Sequence, residues 1–95
     1  MVYKALADPT RRRVLQLLRK HEMSAGELAA EFDFAKSTMT GHFNVLRAAG
    51  LVDGRKQGNV VLYRLNATVL QEALLEFMDS FGFLESTRAR ARART

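Results

Sequence analysis

The polar side chains of residues 35–50, AKSTMTGHFNVLRAAG, are the first candidates for chemistry in this sequence. On a helix, Met39, Phe43 and Leu46 would form one apolar stripe facing a core, because they recur at i, i+4 and i+7. The other sides would carry short hydrogen-bonding side chains rather than the Glu and Lys mixture of an ordinary solvated face: Lys36, Ser37, Thr38, Thr40, His42 and Asn44. Such a face suits hydrogen bonding to base edges in a DNA major groove. The alternative is a helix with a neutral polar surface, and the neighbouring elements must decide between the two.

A capping box predicts the helix that precedes this one. Ser24 and Glu27 have the spacing at which the serine accepts from the N3 amide and the glutamate accepts from the N-cap amide, so a helix should begin there and run to about Phe32. Residues 33–34 would form a turn into the polar helix, which should end at Gly50 because glycine favours the left-handed conformation that follows a helix. Two short helices joined by a tight turn form a helix-turn-helix, a motif that places its second helix in DNA.

Two apolar stretches after this motif predict a β-hairpin. One strand begins at residue 51 and the other covers residues 60–65, with Gly58 and Asn59 between them suited to positive φ. An isolated hairpin is marginally stable, so this one must pack on the helices. We expect that contact through Leu51, Val60, Leu62 and Leu65. Cations near the tip make the hairpin resemble a DNA-contacting wing.

Positive charge is concentrated where these elements are predicted. The chain has a net charge of +5, and residues 35–65 carry five Lys and Arg against Asp53 alone. Residues 66–87 carry four acidic residues and no Lys or Arg, so one end of the domain suits an anion such as nucleic acid and the other does not. Residues 86–95, STRARARART, predict a disordered basic tail after a single domain formed by residues 1–85.

The residues that metal sensing or catalysis would need are missing from the sequence. The lack of cysteine excludes disulfides, thiolate metal sites and cysteine nucleophiles, and His21 and His42 are the only histidines. The sequence also has no glycine-rich phosphate loop and no nucleophile–His–acid arrangement. We therefore predict no metal, no cofactor and no enzymatic activity. With no membrane span and no signal-peptide pattern, the sequence predicts a cytoplasmic protein without membrane insertion.

The outer helices are predicted to carry more apolar surface than one small domain can cover. Residues 2–7 predict a short helix, Asp8 should cap a helix from Pro9 to about Lys20, and Asn66 should cap the last, from Ala67 to about Leu84. The last helix has an apolar stripe that a partner helix is expected to cover: Leu70, Leu74, Phe77, Met78, Phe81 and Leu84. The second helix has three outward arginines, of which at least two are expected to be solvated, with phosphate contact as the alternative: Arg11, Arg12 and Arg13.

Four stretches of the sequence resemble the ArsR-type winged helix-turn-helix repressors: KALADPTRRRVLQLL, MSAGELAAEF, TMTGHFNVLRAAGLV and GNVVLYRLN. Within that family the chain is most similar to the SdpR-type autorepressors, a branch without the familiar metal sites. The resemblance implies a mainly α fold with a β-hairpin, in the order α1-α2-α3-α4-β-β-α5, and a homodimer formed by the first and last helices. It also implies recognition helices in successive major grooves of a palindromic operator, with the wings at the flanking minor grooves.

The resemblance also implies roles for individual residues. The implied DNA-binding residues are Ser24, Lys36, Ser37, Thr38, Thr40, His42, Arg55, Lys56, Gln57 and Asn59. The implied dimer residues are Val2, Tyr3, Leu6, Leu70, Leu74, Phe77, Met78 and Phe81. Ala35 departs from the pattern because a capping serine is usual there, and Gly41 departs because larger residues are common at that point of the helix. For His42, a hydrogen bond to the neighbouring helix is the alternative to a DNA contact.

Together these features predict a metal-independent, dimeric, DNA-binding transcriptional repressor that regulates its own promoter. A winged-helix module that binds another protein and not DNA is one alternative. A repressor relieved by a small organic ligand between the dimer helices is another. The SdpR-type branch further implies relief of repression by a sequestering membrane partner protein.

Overall fold

The computed structural model describes residues 1–83 and contains five helices and a small antiparallel sheet. The elements are α1 (Val2–Leu6), α2 (Pro9–Leu18), β1 (Met23–Ser24), α3 (Ala25–Ala30), α4 (Lys36–Ala48), β2 (Val52–Gln57), β3 (Val60–Leu65) and α5 (Ala67–Ser80). The strand order is β1-β3-β2. The predicted mainly helical, winged helix-turn-helix architecture is confirmed. Leu84 and the predicted tail at 86–95 lie outside the described residues.

Local capping interactions set where α2 and α3 begin. The Asp8 carboxylate accepts hydrogen bonds from the amides of Thr10 at 2.8 Å and Arg11 at 3.2 Å. At α3, the Glu27 amide donates to the Ser24 hydroxyl at 3.0 Å, and the Ser24 amide donates back to the Glu27 carboxylate at 2.9 Å. The capping box predicted from the sequence is therefore present. Both helices are two residues shorter than predicted, ending at Leu18 and Ala30.

The apolar stripe of α4 lies in the core, as predicted. Met39, Phe43 and Leu46 are buried, and Leu46 and Leu28 are fully inaccessible. The Phe43 ring packs against Tyr63 of β3 with centroids 5.0 Å apart, which ties the recognition helix to the sheet. Aromatic pairs at such a distance add to the stability that their burial provides.

The sheet differs from the predicted hairpin by one strand. Met23 and Ser24 pair with Tyr63 and Leu62 as β1, a strand that was not predicted from the sequence. A two-residue strand is too short to show a periodic pattern in the sequence, so it is recognised only from its pairing with β3 in the structure. β1 joins the helix-turn-helix to the wing, because Ser24 is at once a strand residue and the N-cap of α3.

Two details of the predicted hairpin are wrong: the conformation of Asn59 and the burial of Val60. Gly58 has a φ of 63°, whereas Asn59, like every non-glycine residue among the described ones, has a negative φ. Positive φ at the first central residue alone fits a two-residue hairpin turn with glycine in that place. Val60 was expected to pack on the helices but is 47% exposed, because it stands beside the turn. The buried residues of the sheet are Met23, Val52 and Tyr63, next to Leu51.

The last helix begins at its predicted cap but ends early. Asn66 accepts from the Val69 amide at 3.3 Å, and α5 ends at Ser80, before the predicted Leu84. Ala73 is the buried residue of α5, while most of its larger apolar side chains face outward. Residues 1–83 include no helix long and apolar enough to span a membrane.

Candidate nucleic-acid interface

The side of α4 that faces away from the core is polar and exposed. Lys36, Ser37, Thr38 and Thr40 are all exposed, and so is Gly41. The structure thus places the predicted contact residues of this helix on one accessible surface, with His42 at its border. Asn44 is exposed on the same surface but was not among the predicted contacts. Its amide could pair with an adenine edge, and its i+4 spacing from Thr40, which had already placed it on the polar face, was the signal for it.

The hydroxyl of Thr40 is already used as a donor within α4. It donates to the backbone carbonyl oxygen of Lys36 at a distance of 3.0 Å. Such a bond to the preceding turn fixes the side-chain rotamer and leaves the oxygen lone pairs as acceptors. Thr40 can therefore accept from an adenine or cytosine amine, or contact a thymine methyl group with its own methyl.

His42 is half-buried and contacts α2. Its Nδ1 lies 3.2 Å from Nη1 of Arg11, so the alternative of a hydrogen bond to the neighbouring helix is realised for this ring nitrogen. Arg11 is half-buried and makes structural contacts, since the C-terminal end of α1 and the middle of α4 both meet it. Arg12 and Arg13 are exposed, in keeping with the expectation that at least two of the three arginines are solvated. The contact between Arg11 and His42 was not visible in the sequence, because 31 residues separate the two.

Two charged groups near the helix-turn-helix have shifted pKa values. Desolvation raises the pKa of Asp8, but hydrogen bonds from the amides of Arg11 and Thr10 and the nearby charge of Arg11 outweigh it and hold the pKa below its ordinary value. Hydrogen bonds from the amide and the hydroxyl of Ser24 lower the pKa of Glu27. Both carboxylates are held in the form that caps a helix.

Ser24 lies at the start of α3, and its hydroxyl group is engaged with Glu27. The hydroxyl oxygen accepts from the Glu27 amide at 3.0 Å, and the hydroxyl proton faces the Glu27 carboxylate, so a phosphate oxygen would compete with that carboxylate for it. At the start of α4, Ala35 supplies no side-chain cap, as predicted, so the amides of the first turn are left to water or to an anion.

The wing carries exposed cations, some of which are paired within the protein. Arg55 lies 3.4 Å from Glu22, and Arg64 lies 3.4 Å from Asp53, its partner in the strand register. Both pairs are exposed, so each is worth little to stability. Lys56, Gln57 and Asn59 are exposed at the end of the hairpin.

An apolar surface lies on α1 and α5, the two predicted dimer helices. Tyr3 and Phe77 meet edge to face with centroids 5.0 Å apart, and Phe77 meets Phe81 in the same way at 5.1 Å. Among the predicted dimer residues, the exposed ones are Tyr3, Leu74, Phe77, Met78 and Phe81, and the half-buried ones are Val2, Leu6 and Leu70. Leu75, 51% exposed, extends this surface and was not predicted, because it lies beside the helical stripe.

An open groove of about 370 Å³ runs beside this surface, between α2 and α5. Its lining residues are Leu6, Arg12, Leu15, Gln16, Arg19, Leu65, Leu70 and Leu74. The walls are mostly leucine, and two arginines stand on the α2 side. Within residues 1–83, no three His, Cys, Asp or Glu side chains are grouped as a metal site would require.

Comparison with known sequences places the helix-turn-helix in a described family. A helix-turn-helix domain family matches residues 6–55. The chain is 40% identical to the transcriptional repressor SdpR of Bacillus subtilis over 73 residues, which are 77% of this chain and 81% of that protein. It is 39% identical over 77 residues to the biofilm growth-associated repressor of Agrobacterium fabrum, covering 78% of this chain and 66% of that repressor.

Solved structures agree with the sequence relatives. A crystal structure described as an ArsR family transcriptional regulator has a TM-score of 0.79 at 30% identity and covers 90% of this chain and 88% of its own. Another, described as a possible transcriptional regulator for arsenical resistance, has a TM-score of 0.75 at 40% identity. It covers 94% of this chain and 92% of its own. The relatives are transcription regulators, which confirms the prediction that the chain is not an enzyme.

Proposed function

Because this chain belongs to the ArsR family of winged helix-turn-helix DNA-binding transcriptional repressors, we propose that it acts as a homodimer on a palindromic operator in its own promoter. The observation that carries this proposal is the exposed polar face of α4 beside a basic wing, on a domain whose α1–α5 side is apolar. A repressor of this kind acts where the chromosome is, in the cytoplasm.

The residues of the interface divide into those that would select sequence and those that would set position. Ser37, Thr38, Thr40 and His42 face the major groove and read base edges. The phosphate and wing contacts are Ser24, Lys36, Arg55, Lys56, Gln57 and Asn59. The exposed amides at the start of α4 add a further phosphate contact.

Dimerisation follows from the apolar surface of α1 and α5. A two-fold axis through this surface brings identical patches together, so that Phe77 and Met78 of one protomer are covered by the other. The two α4 helices would then contact half-sites about one helical turn of DNA apart, roughly 34–36 Å. No metal is needed for this arrangement, since the chain has no cysteine and only two histidines.

The signal that relieves repression has two candidates. The leucine-walled groove between α2 and α5 favours a small organic ligand, which would bind next to the dimer surface and change its geometry. A sequestering protein partner is the other candidate, for which the exposed apolar side chains of α5 would be the contact.

The test is fluorescence anisotropy of the full chain with the DNA upstream of its own coding sequence, across a salt series. A scrambled duplex and added zinc serve as controls. We expect sequence-preferring binding by two protomers, unaffected by zinc, with a log–log salt slope of several units because each neutralised phosphate contributes about −0.9. Equal binding to the scrambled duplex would contradict sequence-specific repression, and no binding at low salt would favour a module that binds protein instead.

A further inference from the structure

The guanidinium group of Arg11 connects three helices. From α2, its Nε donates to the carbonyl oxygen of Ala5 at 2.8 Å and its Nη2 donates to that of Lys4 at 3.0 Å. Its Nη1 lies 3.2 Å from Nδ1 of His42 on α4. Both carbonyl groups belong to the C-terminal turn of α1, and that of Lys4 also accepts from the Ala7 amide at 3.2 Å. Arg11 therefore holds the end of α1 and the side of the recognition helix at once.

This contact decides which nitrogen of His42 carries the ring proton. A guanidinium group has five donors and no acceptor, so in its hydrogen bond with Arg11 the Nδ1 atom must be the acceptor. An accepting Nδ1 is unprotonated, and a neutral imidazole then has its proton on Nε2. The remaining nitrogen of His42 is thus a donor with no accepting role.

We propose that Arg11 is a positioning residue that fixes His42 as a hydrogen-bond donor toward DNA, so that His42 contacts an acceptor atom of a base edge, which we assign as the N7 of a purine. This inference rests on the proposed function, in which α4 lies in the major groove. The acceptors there are N7 of both purines, O6 of guanine and O4 of thymine, whereas the amines of adenine and cytosine are donors and cannot pair with Nε2–H. Of these acceptors, N7 is present at every base pair. A histidine free to exchange tautomers would discriminate less between these edges.

Thr40 has the complementary polarity on the same helix. Its hydroxyl donates to the Lys36 carbonyl group and keeps only acceptor capacity, whereas His42 keeps only a donor. The intramolecular hydrogen bonds of these two residues therefore orient the recognition face before DNA binds. Such preorganisation reduces the side-chain entropy lost on binding.

The first test uses the free protein and needs no DNA. Two-bond ¹⁵N–¹H spectra of the imidazole rings, at a pH of about 8 where an ordinary imidazole is neutral, distinguish the tautomers. We expect only Nε2–H for His42 in the native protein and a mixture of tautomers in Arg11→Met. Arg13→Met is the matched control, because Arg13 is exposed on the same helix and its side-chain hydrogen bond goes to Gln16, at 3.3 Å, and not to His42. An Nδ1–H signal in the native protein would overturn the assignment, as would an unchanged tautomer in a folded Arg11→Met.

The second test uses a duplex enriched by this protein from a random-sequence pool, with each purine replaced in turn by its 7-deaza analogue. We expect one purine in each half-site at which the replacement weakens native binding about tenfold and has little further effect on His42→Ala. This comparison of the native protein with His42→Ala, on duplexes with and without the purine N7, remains informative even if Arg11→Met does not fold. If no purine shows such coupling, the assignment of His42 to N7 is wrong. If no duplex is enriched at all, the proposed function fails, while the tautomer result stands separately.

Discussion

The ring of Tyr63 covers Gly54, its partner in the β2–β3 register. A Cβ atom at Gly54 would lie 3.2 Å from Cε1 of Tyr63 and 3.5 Å from Nε of Arg47. Tyr63 is itself buried and packed on Phe43 of α4. The missing side chain of Gly54 thus lets the wing lie against the ring that supports the recognition helix.

Replacing Gly54 with alanine is expected to destabilise the fold by about 1–3 kcal/mol, because the added methyl group overpacks the Tyr63 ring and must displace it. Chemical denaturation at fixed protein concentration would measure the change, since dimerisation makes stability depend on concentration. A free energy of unfolding equal to that of the native protein would show that Tyr63 can move without loss.

Gly41→Ala is the counterpart within α4, and it should be stabilising. Nothing lies within 4 Å of a Cβ at Gly41, and alanine is favoured over glycine inside a helix by up to about 1 kcal/mol. The same denaturation measurement applies. The DNA affinity of Gly41→Ala answers a second question. If the variant is more stable but binds the operator more weakly, the DNA backbone approaches the helix at this position. A Gly41→Ala variant less stable than the native protein would contradict the prediction that a methyl group fits at this position without a clash.

The N-cap of α2 predicts a pH dependence with a definite sign. The folded-state pKa of Asp8 is lowered from the ordinary value that applies in the unfolded chain, so its contribution to stability is present above that ordinary value and is lost as the pH falls through the folded-state pKa. Asp8→Ala should cost about 0.5–2 kcal/mol near neutral pH. Asp8→Asn is the matched control, because asparagine caps a helix but does not titrate. Thermal denaturation from neutral to acidic pH should show less acid sensitivity in Asp8→Asn, and identical profiles would contradict this role.

The parts of the fold that were predictable are those fixed by neighbouring residues. The Asp8 and Ser24 caps and the apolar stripe of α4 depend on spacings of a few residues, and they appear where the sequence placed them. The pairing of Met23 with Tyr63 and the contact of Arg11 with His42 join distant parts of the chain. Because these contacts form only after the helices have packed, no local pattern indicates them, and the hydrogen-bonding state of His42 could not be inferred.

The apolar surface of α5 predicts how the homodimer can be broken. Met78 is 42% exposed in the single chain, so Met78→Lys should place a charge in the proposed interface and give a monomer. Phe34→Lys is the control, because Phe34 is 51% exposed but lies in the turn before α4. Analytical ultracentrifugation would compare the two with the native protein. If Met78→Lys is still a dimer, the dimer interface does not include Met78 and lies elsewhere on the protein.

Thr40 and Arg55 should differ in how their loss affects DNA binding. Thr40→Ala removes an acceptor and a methyl group from the recognition face, so it should relax sequence preference, by about 1–3 kcal/mol at the base pair concerned. Arg55→Ala removes a wing cation, so it should weaken binding to all sequences alike and reduce the salt slope by about one unit.

Because Arg55 is paired with Glu22 at 3.4 Å in the free protein, Glu22→Gln should strengthen binding modestly by freeing the cation. Anisotropy titrations with the enriched and scrambled duplexes measure all three. Equal weakening of both duplexes by Thr40→Ala and Arg55→Ala would contradict direct base contact by α4.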